Sequence, residues 1–184
     1  MQGLTPLFSV SCHEPEGEYV RNVYPLIFTP ENIQKFAQKA LQFPTLFGRE
    51  IKDVSDMVSM FFEVQKDGTF KFKGSSVFYV VDDFVGVFSL TDFSYDYSDA
   101  IAHYTFLDRR HKGRTPLVKA MMKYAFDTFK LNRLSVEVPL YTKEDLRHFI
   151  TGCGFTLEGK KRKAIKYDGT LFDILLFGIL KSEV

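Results

Sequence analysis

The stretch RHKGRTP at residues 110–116 connects a segment with the composition of a central β-strand, residues 100–107, to a helical segment at residues 116–130. A helix that starts here directs unpaired backbone N–H groups and the positive end of its dipole at the loop, which favours an anion such as phosphate. Gly113 lets the backbone approach a ligand closely. Three basic side chains add positive charge at the same place: Arg110, Lys112 and Arg114. The stretch therefore predicts a phosphate-binding loop.

The segments on either side of this loop predict a strand-helix-strand crossover. Residues 100–107, AIAHYTFL, carry apolar side chains on both faces, which is typical of a strand inside a sheet. Thr115 is predicted to cap the following helix, with Pro116 in its first turn. The spacing predicts an inward helix face of Val118, Met121, Met122, Ala125 and Phe129. The next strand, RLSVEVP at 133–139, is expected to run parallel to residues 100–107, because such a unit makes a right-handed crossover.

The rest of the chain predicts antiparallel strands and further helices. The spacing of apolar and turn residues indicates strands at 7–10 and 19–28, a helix that starts after Thr29 and ends before Pro44, a helix at 52–64, a hairpin of 75–81 and 84–91 with a two-residue turn at Asp82-Asp83, a short helix at 142–151, and a C-terminal hairpin around Asp168-Gly169. These elements predict an α+β fold with one mixed, mostly antiparallel sheet, one parallel crossover, and helices on both faces. No repeat or linker interrupts them, so we expect a single domain over residues 1–184.

Charge and cysteine content disfavour several classes of function. The chain has 24 Lys and Arg against 23 Asp and Glu, a net charge of +1, so no overall field attracts nucleic acid. The basic run at 160–163 is interpreted as the solvated guard of an edge strand. Cys12 and Cys153 are isolated, which predicts reduced thiols and no metal site. No apolar run approaches the ~20 residues that span a bilayer, and no signal peptide is evident, so we expect a soluble, cytoplasmic protein without membrane partners.

The phosphate-binding loop resembles the signature of the GNAT family of acyl-CoA-dependent N-acetyltransferases. That signature is Arg or Gln, two residues, Gly, one residue, and Gly or Ala; Arg110 and Gly113 match it, whereas Thr115 is larger than the family residue. The resemblance continues from the strand at 133–138 to the C-terminal hairpin. There, Gly154-Phe155-x-Leu157-Glu158-Gly159, Asp168-Gly169 and Asp173 are similar to the branch that acetylates the N-termini of ribosomal proteins.

This resemblance implies a binding site for acetyl-CoA as co-substrate, without a metal. Residues 75–184 correspond to the cofactor-binding core, and residues 1–74, which match the family poorly, are expected to form the acceptor side. In the family, the strands that match 100–107 and 133–138 splay apart, and the pantetheine arm bonds the main chain of the first strand. By position, the cofactor-binding residues are Phe106 and Leu107 for this arm, and Arg110, His111, Lys112, Gly113, Arg114 and Thr115 for the pyrophosphate.

The candidates for acid and base catalysis are less specific. His103 and Glu137 lie in the two splayed strands and are the candidates for a general base, although a satisfied structural group is the commoner role of such residues. Many family members have a Tyr five residues before the Phe of the Gly-Phe pair, where it protonates the departing thiolate; this chain has Ile150. Tyr141 or solvent supplies the proton instead, or turnover is slow.

We expect transfer of an acetyl group to a primary amine, most simply the α-amino group of a protein or peptide. An α-amine with a pKa of ~7.8 is about one-seventh neutral at pH 7, whereas a Lys with a pKa of ~10.4 is neutral in roughly one molecule in 2,500. A small-molecule amine stays open as the acceptor. The alternative is a GNAT-fold module that binds CoA or a protein partner without fast turnover. The sequence favours no particular oligomeric state.

Overall fold

A computed structural model of the chain describes residues 5–14, 17–43, 51, 53–96, 98–108, 113–142 and 144–184. The strands in these residues are β1 (Phe8–Glu14), β2 (Gly17–Pro25), β3 (Phe62–Val64), β4 (Phe70–Phe72), β5 (Ser76–Val81), β6 (Gly86–Ser94), β7 (Asp99–Phe106), β8 (Arg133–Pro139), β9 (Thr156–Tyr167) and β10 (Thr170–Leu180). The α-helices are α1 (Pro30–Ala40), α2 (Val54–Phe61), α3 (Arg114–Phe129) and α4 (Glu144–Gly152). In this part of the chain, no helix is long and apolar enough to cross a membrane.

Eight of the strands form one sheet in the order β1-β2-β5-β6-β7-β8-β10-β9, and β3 pairs with β4 separately. Within the large sheet, neighbouring strands are antiparallel except for β7 and β8, which α3 connects as a parallel crossover. The predicted α+β fold and its single parallel pair are confirmed. The parallel pair is the part of the sheet that positions the candidate site.

Alternating side chains of β5 show that the sheet is covered on both faces. Val80 belongs to a buried cluster with Phe36 of α1 and Met57 of α2. The next residue, Val81, belongs to a cluster with Leu117 of α3. Helix α4 packs with α3, since its Ile150 shares a third buried cluster with Val118, Met122 and Ala125. The helices therefore lie on both faces, as predicted.

Two local sequence signals are confirmed, the cap of α1 and the turn of the C-terminal hairpin. The Thr29 hydroxyl accepts a hydrogen bond from the Asn32 N–H at 3.2 Å and caps α1, as predicted. At the C-terminal hairpin, Asp168 and Gly169 have φ of 47° and 73°, the left-handed conformation that a two-residue hairpin turn requires. The basic run at 160–163 lies on β9, at the edge of the sheet, where it was predicted. Pro44 and Lys52, predicted near helix ends, lie outside the described residues.

Two predicted boundaries are wrong. The helix predicted at 52–64 ends at Phe61, because Phe62–Val64 pairs with Phe70–Phe72 as a strand. The turn between β5 and β6 has four residues instead of two. Asp82 leaves the ladder because its carboxylate accepts hydrogen bonds from the Asn22 N–H at 3.0 Å and from Arg21 at 3.1 Å. These contacts tie the turn to β2.

Candidate active site

The parallel strands β7 and β8 separate toward their carboxyl ends. Their paired residues, among those described, are Asp99 with Arg133, Ala100 with Leu134, and Ile101 with Ser135. Beyond this point a cleft of about 330 Å³ opens between the strands. Residues from both strands, from the segment after β8, from α4 and from the segment after α1 line it: Ala102, His103, Tyr104, Thr105, Phe106, Val136, Glu137, Val138, Pro139, Tyr141, Thr142, Leu146, Ile150 and Phe43.

Part of the β7 backbone points toward this cleft. The Leu107 N–H donates to the Val85 carbonyl of the β6 side at 2.9 Å. Since backbone groups of successive strand residues point to opposite sides, the N–H and C=O of Tyr104 and Phe106 point away from β6, toward the cleft. The backbone of Phe106 is thus placed to bond a ligand between the strands. The N–H of Leu107, also predicted to bind the cofactor, is already bonded within the sheet.

Gly113 stands at the start of α3. It has φ 72° and ψ 26°, a left-handed conformation that glycine adopts readily, and it is the N-cap of the helix. The Cys12 thiol donates to its carbonyl at 3.6 Å. The predicted cap at Thr115 is wrong, because the helix already begins at Arg114; the Thr115 hydroxyl instead bonds the Cys153 thiol.

The positive charge predicted for this loop is only partly described. Arg110, His111 and Lys112 lie outside the described residues. The Arg114 guanidinium lies over the Phe106 ring, 5.2 Å from its centroid, and donates to the Asp108 carbonyl at 3.4 Å. Arg114 therefore stands where β7 ends, beside the first turn of α3.

The three candidate catalytic side chains, His103, Glu137 and Tyr141, all line the one cleft. The Glu137 carboxylate forms an ion pair with Lys161 of β9. The Tyr141 ring stacks on Tyr167, with centroids 4.5 Å apart and planes at 18°. Burial, and then the neighbouring Tyr167, raise the pKa of Tyr141 above 10.0, so its hydroxyl is protonated at neutral pH.

His103 is held by a hydrogen-bonded chain from β6. The Thr91 hydroxyl donates to the Asp92 carboxylate at 2.9 Å and lies 3.0 Å from His103 Nε2. A carboxylate only accepts hydrogen bonds, so the single hydroxyl proton of Thr91 goes to Asp92, and Thr91 accepts a proton from Nε2. It follows that neutral His103 carries its proton on Nε2 and has its lone pair on Nδ1.

A bulge in β6 creates this chain. Asp92 has φ 52°, and the pairing of β6 with β7 shifts between Thr91 and Ser94. The bulge turns the Asp92 side chain back onto Thr91. Sequence reasoning missed Thr91 and Asp92; the available signal was an Asp inside an apolar strand, where Asp is disfavoured.

The surroundings of His103 favour its neutral form. The residue is exposed toward the cleft, but the protein atoms around the imidazole displace part of its solvent, and this desolvation lowers its pKa below 6.5. The carboxylates of Asp92 and Glu137 oppose the shift without reversing it. At pH 7 His103 is therefore an uncharged base.

Ile150 and Cys153 of the α4 region have the surroundings of packed residues. Ile150 is buried, lines the cleft, and carries no proton to donate. Burial raises the pKa of the Cys153 thiol above 9.0. The hydrogen bond with the Thr115 hydroxyl and the charge of Lys119 both lower this pKa, but the effect of burial is larger. Among the described residues, no group of three His, Cys, Asp or Glu side chains is placed to hold a metal ion.

Comparisons with known proteins agree with this geometry. RimJ of Mycobacterium smegmatis in complex with CoA-disulfide is similar with a TM-score of 0.70 and 18% identity, over 96% of this chain and 88% of that one. Spermidine N-acetyltransferase from Vibrio cholerae in complex with CoA and spermine is similar with a TM-score of 0.67 and 16% identity, over 88% of this chain and 96% of that one. At these identities the likeness shows a shared fold. A search of curated proteins found no significant match.

The sequence itself carries the family signal. The sequence profile of the acetyltransferase (GNAT) domain matches residues 31–176, which include α1, the whole crossover from β7 to β8, and most of β10. Since this match spans most of the chain, the protein belongs to the GNAT acetyltransferase family.

Proposed function

We propose that this protein transfers an acetyl group from acetyl-CoA to a primary amine, and that the acceptor is the α-amino group of a protein or peptide. The observation that carries the proposal is the cleft between β7 and β8, which places His103, in a neutral form, between the separating strands. Acyl transfer to an amine requires a base and donors to the developing oxyanion, and a cleft of this kind can bring both to a bound thioester.

The described residues fit acetyl-CoA as co-substrate. The backbone groups of Phe106 and Tyr104 would bond the pantetheine arm, because they face the cleft. The pyrophosphate would lie at the first turn of α3, where Gly113 adopts the left-handed conformation, with Arg114 and Thr115 beside it. We also assign Arg110, His111 and Lys112 to the pyrophosphate, from the motif alone.

The side chains of the cleft divide the chemistry between them. Bound acetyl-CoA supplies the thioester that the amine attacks and the thiolate that leaves. His103 Nδ1 takes the proton that the amine nitrogen loses as its bond to the acetyl carbon forms. The Tyr141 hydroxyl, protonated at neutral pH, donates a proton to the departing sulfur. Glu137 supports the positive charge that develops on His103, since its carboxylate raises the pKa of this group.

The acceptor follows from basicity. An amine must be neutral to attack, because an ammonium nitrogen has no lone pair, and a base with a lowered pKa is too weak to deprotonate a strongly basic amine beforehand. His103 therefore acts on the nitrogen only as the bond to the acetyl carbon makes its proton acidic. An α-amine, with a pKa near ~7.8, is the protein amine that is neutral most often at pH 7. Residues 1–74 supply Phe36, Phe61, Phe62 and Phe72 next to His103, which supports the proposal that they form the acceptor side.

The test is release of the CoA thiol from acetyl-CoA. A peptide with a free N-terminus is expected to release the thiol, whereas the same peptide with a blocked N-terminus and an internal Lys is expected to release it far more slowly. Equal rates would contradict the α-amine assignment. If CoA binds in a calorimetric titration but no amine is acetylated, the chain is a binding module instead of an enzyme.

A further inference from the structure

A second cavity, of about 210 Å³, lies against His103 on the α1 and α2 side of the sheet. Val87 of β6 completes the apolar lining of this cavity, whose aromatic walls come from five separate elements: Phe36 of α1, Phe61 of α2, Phe62 of β3, Phe72 of β4 and Phe78 of β5. Its remaining lining residues are polar: Ser89, Thr91, His103 and Thr105. We name this space the phenylalanine pocket.

The aromatic walls hold one another in place. The Phe61 ring stacks on Phe72 at 6.0 Å, with planes at 7°. The Phe72 ring also meets Phe62 edge to face, with centroids 5.6 Å apart. It meets Phe78 at a tilt of 53°, with centroids 5.1 Å apart. Such packed rings form a preformed apolar site, which does not need to be assembled by its ligand.

Ser89 adds a polar group inside this pocket. The residue is 8% exposed and lines the pocket. A hydroxyl can both donate and accept a hydrogen bond, so Ser89 gives this apolar space a polar group that a ligand can bond.

The phenylalanine pocket and the cleft share His103 and Thr105. An amine at His103 therefore has its substituent directed into the phenylalanine pocket or along the cleft. None of the described lining residues of the pocket is acidic. A polyamine would leave its second and third ammonium groups there without a carboxylate, which is unfavourable in an apolar site.

We propose that the acceptor carries a large apolar side chain next to its α-amino group, and that this side chain occupies the phenylalanine pocket while Ser89 bonds the acceptor's backbone. This inference rests on the proposed function. The fit is good, because an apolar cavity of about 150 Å³ is enough for a benzene ring. A peptide that begins with Leu or Phe fills the pocket, whereas one that begins with Gly leaves it empty.

The expected selectivity follows from the area that the side chain buries. Full burial of a Leu or Phe side chain corresponds to a gain of about 10- to 150-fold in kcat/KM over Gly. The measurement uses three peptides that differ only in the first residue, Gly, Leu or Phe, with spermidine as the fourth acceptor. Thiol release from acetyl-CoA gives kcat/KM for each.

Matched variants test the pocket. Phe61→Ala opens one wall and is expected to reduce the Leu-to-Gly ratio of kcat/KM, whereas Phe8→Ala removes the same ring from β1, outside the pocket, and should leave the ratio unchanged. The ratio does not depend on the fraction of folded enzyme, so a loss of stability does not obscure the result. Ser89→Ala is expected to slow every peptide about 2- to 12-fold at a constant ratio. Unchanged rates would contradict the role of this hydroxyl.

Binding separates this inference from the proposed function. CoA-saturated protein is titrated with the N-acetylated Leu and Gly peptides in a calorimeter. Tighter binding of the Leu peptide supports the pocket even if no acceptor is acetylated, an outcome that would refute only the proposed function. Equal kcat/KM for Gly and Leu, equal binding of their products, or a higher kcat/KM for spermidine would overturn the inference.

Discussion

Replacing Thr91 with Val tests the hydrogen-bonded chain that orients His103. Valine has nearly the shape of threonine but cannot accept the proton of His103 Nε2, so the ring is free to exchange its protonated nitrogen and to rotate. One neutral hydrogen bond has a net worth of about 0.5–1.5 kcal/mol, which corresponds to a roughly 2- to 12-fold loss in kcat/KM. His103→Ala removes the base itself and is expected to lose ~10²–10⁴-fold.

The assay is thiol release at saturating acetyl-CoA with varied peptide, on the two single variants and the double variant. The Thr91→Val substitution is expected to slow the wild type but to add nothing in the His103→Ala background, because its effect passes through the imidazole. Thr91→Ser keeps the hydroxyl and should restore the rate. The reasoning is refuted if Thr91→Val is as fast as wild type, or if it slows His103→Ala by the same factor.

Three further predictions concern the cofactor loop, the base and the thiols. Gly113→Gln should weaken CoA binding in calorimetry more than Arg110→Ala, because a side chain at this positive φ is strained by ~1–2 kcal/mol and would stand against the pyrophosphate. As the salt concentration rises, only the loss of affinity caused by Arg110→Ala should become smaller. At saturating acceptor, kcat should decrease as the pH is lowered through the pKa of His103, which lies below 6.5, since the protonated imidazole accepts no proton. His103→Ala should abolish this pH dependence. Cys12 and Cys153, both buried, should resist iodoacetamide in the native state and react after unfolding, as followed by mass spectrometry; rapid native labelling would contradict their burial.

Much of the region 75–184 was predictable because its signals are local. The α3 helix and the hairpin at Asp168-Gly169 are each specified by neighbouring residues. One detail failed: Thr115 and Gly113 are both acceptable at a helix start, but the structure has Gly113 as the N-cap, in the left-handed conformation.

Residues 1–74, which we propose form the acceptor side, were less predictable because tertiary contacts decide their structure. Phe61 and Phe62 continue the apolar stripe of α2, so the spacing alone favours a longer helix. The competing interaction is the ladder with Phe70–Phe72, which lies beyond a turn. Likewise, His103 was visible in its strand, but Thr91 and Asp92 reach it only through a bulge that exists once β6 and β7 are paired.

The two halves of the site therefore differ in what specifies them. CoA would be held mainly by backbone groups and a helix terminus, which many sequences provide once the crossover forms. The acceptor would be held by side chains from five elements that meet only in the folded protein. Because the phenylalanine pocket shares with the cleft only His103 and Thr105, both on β7, substitutions in its walls can change the choice of acceptor while the affinity for CoA stays constant. Under the proposed function, this separation would let one type of cofactor site serve acceptors of different chemistry in one fold.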